Sequence, residues 1–213
     1  MRKFILVSVS VLIFLTTVEI MSQCPPGWTG AGLTNIHVAL ANNQICYLRV
    51  DYCHRDNAGV LEILITKIEF MDVNCPQGAN LNTFSVWNQL TIGMLNRIAN
   101  PNVHGKQEFP PCSSSIRKVA RLMKANCWKY SSLVSPIENS VVAQPCVNDD
   151  DYCISNYEVC LDYRYSPPLL TIDYLGMTEP VEINCDYHEI VVPIGVDFNS
   201  NPWESPCTAT CNE

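Results

Sequence analysis

Along this chain the apolar residues fall mostly at a period of two. Thr34 to Leu40 places Ile36, Val38 and Leu40 on one face, and Asn42-Asn43 follows as a turn. Ile45 to Tyr52 is rich in β-branched and aromatic residues, Asp56-Asn57-Ala58-Gly59 is a turn signal, and Val60 to Phe70 predicts a third strand. Tyr157 to Tyr165 alternates Tyr157, Val159, Leu161 and Tyr163 until Ser166-Pro167-Pro168 interrupts it. Leu169 to Leu175 and Glu189 to Phe198 predict further strands. The period changes clearly in one stretch: Phe84, Trp87, Leu90, Met94, Leu95 and Ile98 recur at helical spacing between Thr83 and Ala99. Asn82 is placed to cap that helix and Pro101 to end it. Ser113 to Lys124 fits two readings, a helix presenting Ile116, Val119, Ala120 and Met123 or a strand leading into Cys127. The expected class is mainly β.

The amino terminus has a different pattern. Met1-Arg2-Lys3 is followed by an apolar run from Phe4 to Leu15 and a more polar exit from Thr16 to Ser22. The run is shorter than the roughly 20 residues a membrane-spanning helix needs, so residues 1–22 are expected to be a signal peptide cut after Ser22. Cys24 lies close to that cut, but Gln23 is not the small residue that lipid attachment would require before it. The expected location is therefore secreted: extracellular, cell-surface or periplasmic.

Export changes the meaning of the twelve cysteines, Cys24, Cys46, Cys53, Cys75, Cys112, Cys127, Cys146, Cys153, Cys160, Cys185, Cys207 and Cys211. An even set of thiols on an exported chain predicts a disulfide framework. The spacings partly repeat, with C-x6-C at Cys46–Cys53, Cys146–Cys153 and Cys153–Cys160. Asn74-Cys75 and Asn184-Cys185 close similar pentapeptides, and Pro111-Cys112 and Pro206-Cys207 follow them. Two registers compete. Aligning Cys46 with Cys146 keeps C-x4-Asp-Tyr-Cys in both halves, and aligning Cys46 with Cys153 keeps four framework positions in step. The second is preferred, and it predicts an internal duplication. The expectation is two disulfide-stapled antiparallel β units, residues 23–112 and 113–213, with the helix at about 83–99 inserted in the first. The segments Cys24–Cys75 and Cys127–Cys185 should then superpose.

Geometry limits the bridges. Two cysteines seven steps apart on one strand are about 23 Å apart, whereas a disulfide needs Cα atoms within about 7 Å. Cys46 and Cys53 cannot bond each other, and an odd spacing sends them to opposite faces. The economical solution links Cys24 and Cys75 to these two, and Cys127 and Cys185 to Cys153 and Cys160. Cys112, Cys146, Cys207 and Cys211 are left without a derived pairing.

Charge and motifs then narrow the chemistry. The net charge is −8, which argues against nucleic acid and anionic membranes as partners. The densest basic run is Arg117, Lys118, Arg121 and Lys124. No C-x2-C pair supports zinc, and His37, His54, His104 and His188 show no ligand spacing. Ser115-Ile116-Arg117-Lys118 matches S-x-x-K without the companion motifs of a serine acyltransferase site. Asp149, Asp150 and Asp151 gather oxygen ligands as weak calcium candidates, without the alternating order of an EF-hand loop. Tryptophans and tyrosines beside the cysteines are expected to pack over bridges. No cofactor and no catalytic residue is predicted. The expected function is a non-catalytic structural or interaction module, possessing a protein partner or self-associating in an extracellular or cell-surface assembly. The alternative is a polysaccharide-binding protein or polysaccharide hydrolase, with a glycan as ligand.

Overall fold

The computed structural model describes residues 24–39, 45–72, 75, 84–99, 109–134, 139–146, 152–179, 185–191 and 202–211. The expected signal 1–22, the turn at Asn42-Asn43 and the cap at Asn82 lie outside them. The chain is mainly β: among the described residues it has a curled nine-stranded sheet and one helix, α1 (Phe84–Ala99).

β1 (Thr29–Ala39), β2 (Ile45–Asn57) and β3 (Val60–Phe70) form an antiparallel meander. β2 runs past the expected Tyr52, because its hairpin closes tightly through Ala58 and Gly59, both at positive φ. Glycine tolerates that conformation and Asp56 Oδ1 accepts the Gly59 N–H at 2.8 Å, which together set the turn. β3 is the hub. Its far edge is shared, with Leu61–Leu64 pairing in parallel with β4 (Lys118–Ala125) and Ile68–Phe70 pairing antiparallel with β6 (Asn139–Pro145). One branch continues from β4 to β7 (Tyr152–Asp162) and β8 (Leu169–Thr178); the other continues from β6 to β5 (Cys127–Val134) and β9 (Thr208–Ala209).

The ambiguous Ser113–Lys124 stretch holds β4, a strand. Ala120 and Leu122 face the core, whereas Ile116, which a helical reading would bury, is 70% exposed. Tyr157, Val159 and Leu161 face the core as the alternation predicts, although β7 begins earlier than expected and ends at Asp162. Of the predicted strand Glu189–Phe198, residues 189–191 are not in a strand and the rest lies outside the described residues.

Six disulfides join the twelve cysteines, and no cysteine is free. Cys24 bonds Cys53 and Cys46 bonds Cys75, each with Cα atoms 5.7 Å apart, so the two β2 cysteines do take separate partners. The expected solution for the second half is overturned: Cys127 bonds Cys185, Cys153 bonds Cys211 and Cys160 bonds Cys112. The reason is the branching. Cys127 starts β5, which pairs with β6 and β9 rather than β7, so Cys153 and Cys160 lie out of its reach. Cys112 sits beside Cys160 because the 110–112 segment bonds to β7, with Cys112 N on Leu161 O at 2.8 Å and Leu161 N on Pro110 O at 2.9 Å. Cys146 bonds Cys207, completing the set.

The expected superposition is corrected for the same reason. Cys24–Cys75 contains a three-strand meander closed by two internal bridges, whereas Cys127–Cys185 contains β5 to β8 and a single internal bridge. Residues from both predicted spans share one sheet and one core, which runs from Ile36 to Leu161, and Cys112–Cys160 crosses between the spans.

α1 contributes one face to the shared core. Val86, Trp87, Leu90, Met94, Leu95 and Ile98 are all buried. At Gly93 the helix approaches β1 so closely that an added Cβ would lie 2.8 Å from Ile36 Cγ2 and 3.1 Å from Cδ1. Gly93→Ala gains about 1 kcal/mol of helix propensity but incurs about 1–3 kcal/mol of overpacking. The expected outcome is a net loss of about 1 kcal/mol in denaturant melts, abolished in an Ile36→Ala background, where the clashing atoms are gone. Tyr52 lies in the same core, and burial pushes its hydroxyl up to about 12. A folded value above the ordinary 10.0 means that its contribution is complete below pH 10.0 and is lost as pH rises through about 12. Tyr52→Phe cannot ionise, so its alkaline unfolding midpoint should move to higher pH in a circular-dichroism titration.

Candidate functional site

The sequence-derived chemical candidates do not converge. Asp149, Asp150 and Asp151 lie outside the described residues, as does His104. His37 stacks edge-on against Tyr47 at 4.5 Å, and His188 exchanges hydrogen bonds with Thr208 Oγ1 through its backbone. The lysine of S-x-x-K, Lys118, donates to Asp56 Oδ2 at 2.8 Å. In β4 the remaining basic residues separate by face: Arg121 reaches Glu62 at 3.6 Å on the outer side, while Lys124 is buried, donating to Thr210 O at 2.7 Å. Arg117, just before the strand, stays apart from these pairings.

What the fold does assemble is a surface at β8 and the connection leading into it. The two long edges of the curled sheet are treated differently. The last residue of β1 is capped by α1: Gln89 Nε2 donates to Ala39 O at 3.1 Å, and Gln89 Oε1 accepts from Ala39 N at 2.8 Å. β8 pairs with β7 alone among the described residues. Its sequence, LLTIDYLGMT, contains one charge, Asp173, and neither lysine nor proline, the residues that usually blunt an edge. Leu170 and Ile172 pack on the core, and Tyr174 lies 5.4 Å from Tyr157. Leu169, Leu175, Tyr163 and Tyr165 are half exposed or more. A bulge between Asn156 and Tyr157, opposite Leu175 and a positive-φ Gly176, bends the end of β8, so Leu169–Tyr174 is the regular part of the edge. The sequence predicted a strand over Leu169–Leu175, but not that among the described residues β7 alone pairs with it.

Next to this edge, on the outward face of β7, lies an open cavity of about 670 Å³. Cys112, Cys160, Ser113, Arg117, Asp162, Tyr163, Arg164 and Thr171 line it. Arg117 is held by Nη1, which donates to Cys112 O at 2.9 Å and Ser114 O at 3.5 Å. Arg164 Nε donates to Asp162 Oδ1 at 2.9 Å and Oδ2 at 3.0 Å, and its backbone N–H donates to Oδ1 at 3.0 Å. Those bonds from Arg164 hold the Asp162 carboxyl below the usual carboxylate range.

The chain matches no protein-family model, no curated protein and no solved structure. Among the described residues no helix is long and apolar enough to cross a membrane, and the six disulfides point to an oxidising, extracellular environment.

A depressed folded value means that Asp162 contributes its stability above the ordinary carboxylate range and loses it as pH falls through the folded value. In Arg164→Gln the main cause of the depression is gone. The Asp162 carboxyl, followed by NMR pH titration, should then titrate at higher pH than in the parent protein.

Proposed function

We propose that this protein is an exported, non-catalytic contact module whose β8 edge joins it to a protein partner or to another copy in an extracellular or cell-surface assembly. The observation that carries the reading is the β8 edge: among the described residues Leu169–Tyr174 pairs with β7 alone and is flanked by exposed Tyr165, Leu169 and Leu175, whereas the end of β1 is capped by Gln89. Strand addition at such an edge uses main-chain hydrogen bonds and asks little of individual side chains. The six bridges reduce the ordering that association would require. The apolar run at residues 4–15 supports export, with cleavage after Ser22.

A duplication fits this architecture in a form tied to the C-x6-C strands. β1–β2–β3 and β4–β7–β8 are both antiparallel three-strand sets with the C-x6-C strand in the middle. In each, the first cysteine bonds downstream (Cys46 to Cys75, Cys153 to Cys211) and the second bonds upstream (Cys53 to Cys24, Cys160 to Cys112). In this reading α1 and the β5–β6 hairpin are additions to a repeated meander.

Leu175→Lys puts a charge on the edge while changing a residue that is 54% exposed. Its thermal unfolding should match the parent within about 0.5 kcal/mol, while self-association by analytical ultracentrifugation, or recovery in the native complex, should be lost. A parent protein that is monomeric and partner-free in its native source, or a variant that assembles normally, would reject the edge.

A further inference from the structure

The cavity beside the edge supports a second and separate reading. We infer that it binds an acidic saccharide, a sugar unit bearing a carboxylate, with Arg117 as the carboxylate receptor and Tyr163 as the stacking surface.

Charge makes the cavity unusual in this chain. The net charge is −8, yet two guanidinium groups and one carboxylate line this space. Arg164 covers Asp162, so the carboxylate that would repel an anion is already neutralised. The other basic residues of the 117–124 run are committed, Lys118 to Asp56, Arg121 to Glu62 and Lys124 to Thr210 O. Among the described residues no carboxylate pairs with Arg117. Both of its hydrogen bonds use Nη1, which fixes the plane of the guanidinium at the cavity wall. A fixed planar fork suits two parallel hydrogen bonds to a carboxylate.

The rest of the lining suits a sugar, and the oligo-glutamate arm of the test below separates it from an acidic peptide. Tyr163 lines the cavity and is 50% exposed, so an aromatic ring is accessible there to the C–H face of a pyranose. Ser113 and Thr171 add hydroxyl groups that donate to and accept from sugar hydroxyls. The volume falls within the range of small-ligand sites. Asp162 is the one carboxylate among the lining residues described, whereas glycoside hydrolysis uses a pair, so binding is the role proposed.

The test is calorimetry on the oxidised mature chain with four probes: a glucuronic-acid-containing oligosaccharide, its carboxyl-reduced neutral counterpart, a short oligo-glutamate peptide and sodium acetate. The acidic oligosaccharide should bind at least about tenfold more tightly than each of the other three, the worth of one charge-assisted pair. Arg117→Gln should weaken it by about tenfold, and Arg117→Lys should not restore full affinity, because a point charge lacks the fork. Tyr163→Ala should weaken it several-fold, and because Tyr163 is half exposed it keeps the test valid if Arg117→Gln disturbs the Cys112 segment. Leu175→Lys should bind the saccharide like the parent, so this proposal and the edge reading fail separately. Equal binding of the neutral saccharide, an oligo-glutamate or acetate affinity matching the acidic sugar, unchanged affinity in Tyr163→Ala, or no binding at all would overturn it.

Discussion

Trp87 of α1 packs its ring 5.8 Å from the ring of Trp128, the second residue of β5, and lies under the ammonium of Lys124 at 4.3 Å. Lys124 is 3% exposed. A buried ammonium costs several kcal/mol unless it is compensated, and here the face of Trp87 and the carbonyl of Thr210 at 2.7 Å both contribute compensation. The corner between β4 and β5, where the chain passes from one branch of the sheet to the other, is satisfied by the same groups. Trp128 Nε1 donates to Ala125 O at 2.9 Å, Thr210 N donates to Asn126 O at 2.8 Å, and Thr210 Oγ1 donates to Ala125 O at 3.0 Å. Helix, corner and carboxy-terminal segment therefore stabilise one another or not at all.

That mutual dependence accounts for where the bridges gather. Cys127–Cys185, Cys146–Cys207 and Cys153–Cys211 all tie the β4–β7 region to the carboxy-terminal part of the chain. β9 is a two-residue strand and could not hold that segment by backbone hydrogen bonds alone. Closing loops of roughly 60 residues contributes on the order of 4 kcal/mol each in the chain-entropy account, enough to keep Thr210 at the corner. The bridges thus secure the acceptor that Lys124 needs.

The outer face of the sheet is built on different terms. Glu62 is buried among Arg55, Arg121 and Asn57, Asp51 pairs with Lys67, and Glu69 takes Arg49 and the Ser140 hydroxyl. Trp28 lies 4.3 Å under Arg55. These pairs neutralise the outer side over β2, β3 and β4, while the β7–β8 end exposes Tyr163, Tyr165, Leu169 and Leu175. A contact role is consistent with a scaffold whose stability is distributed over bridges and core, away from that surface.

Much of the local structure was legible in the residues themselves. Alternation located β3, the core faces of β1 and β7 and the start of β8, and a change of period located α1, because side-chain direction follows backbone periodicity within a few residues. The separation of Cys46 from Cys53 followed from strand length alone. Beyond that, local information ran out. Whether 118–125 is helix or strand depends on β3 and β7 lying on either side, and the partners of Cys127, Cys153 and Cys160 depend on which branch each strand joins. The candidate site shows the same limit: Arg117, Asp162, Tyr163, Arg164 and Thr171 carry no motif, and they meet only because β7 and β8 pair and the Cys112 segment folds against them. The amino-acid sequence by itself determined period, face and the impossibility of certain bridges, all short-range properties of the chain. Strand order, bridge partners and the exposed edge were decided by the tertiary structure, because each is a choice among distant segments made by the total burial of one shared core.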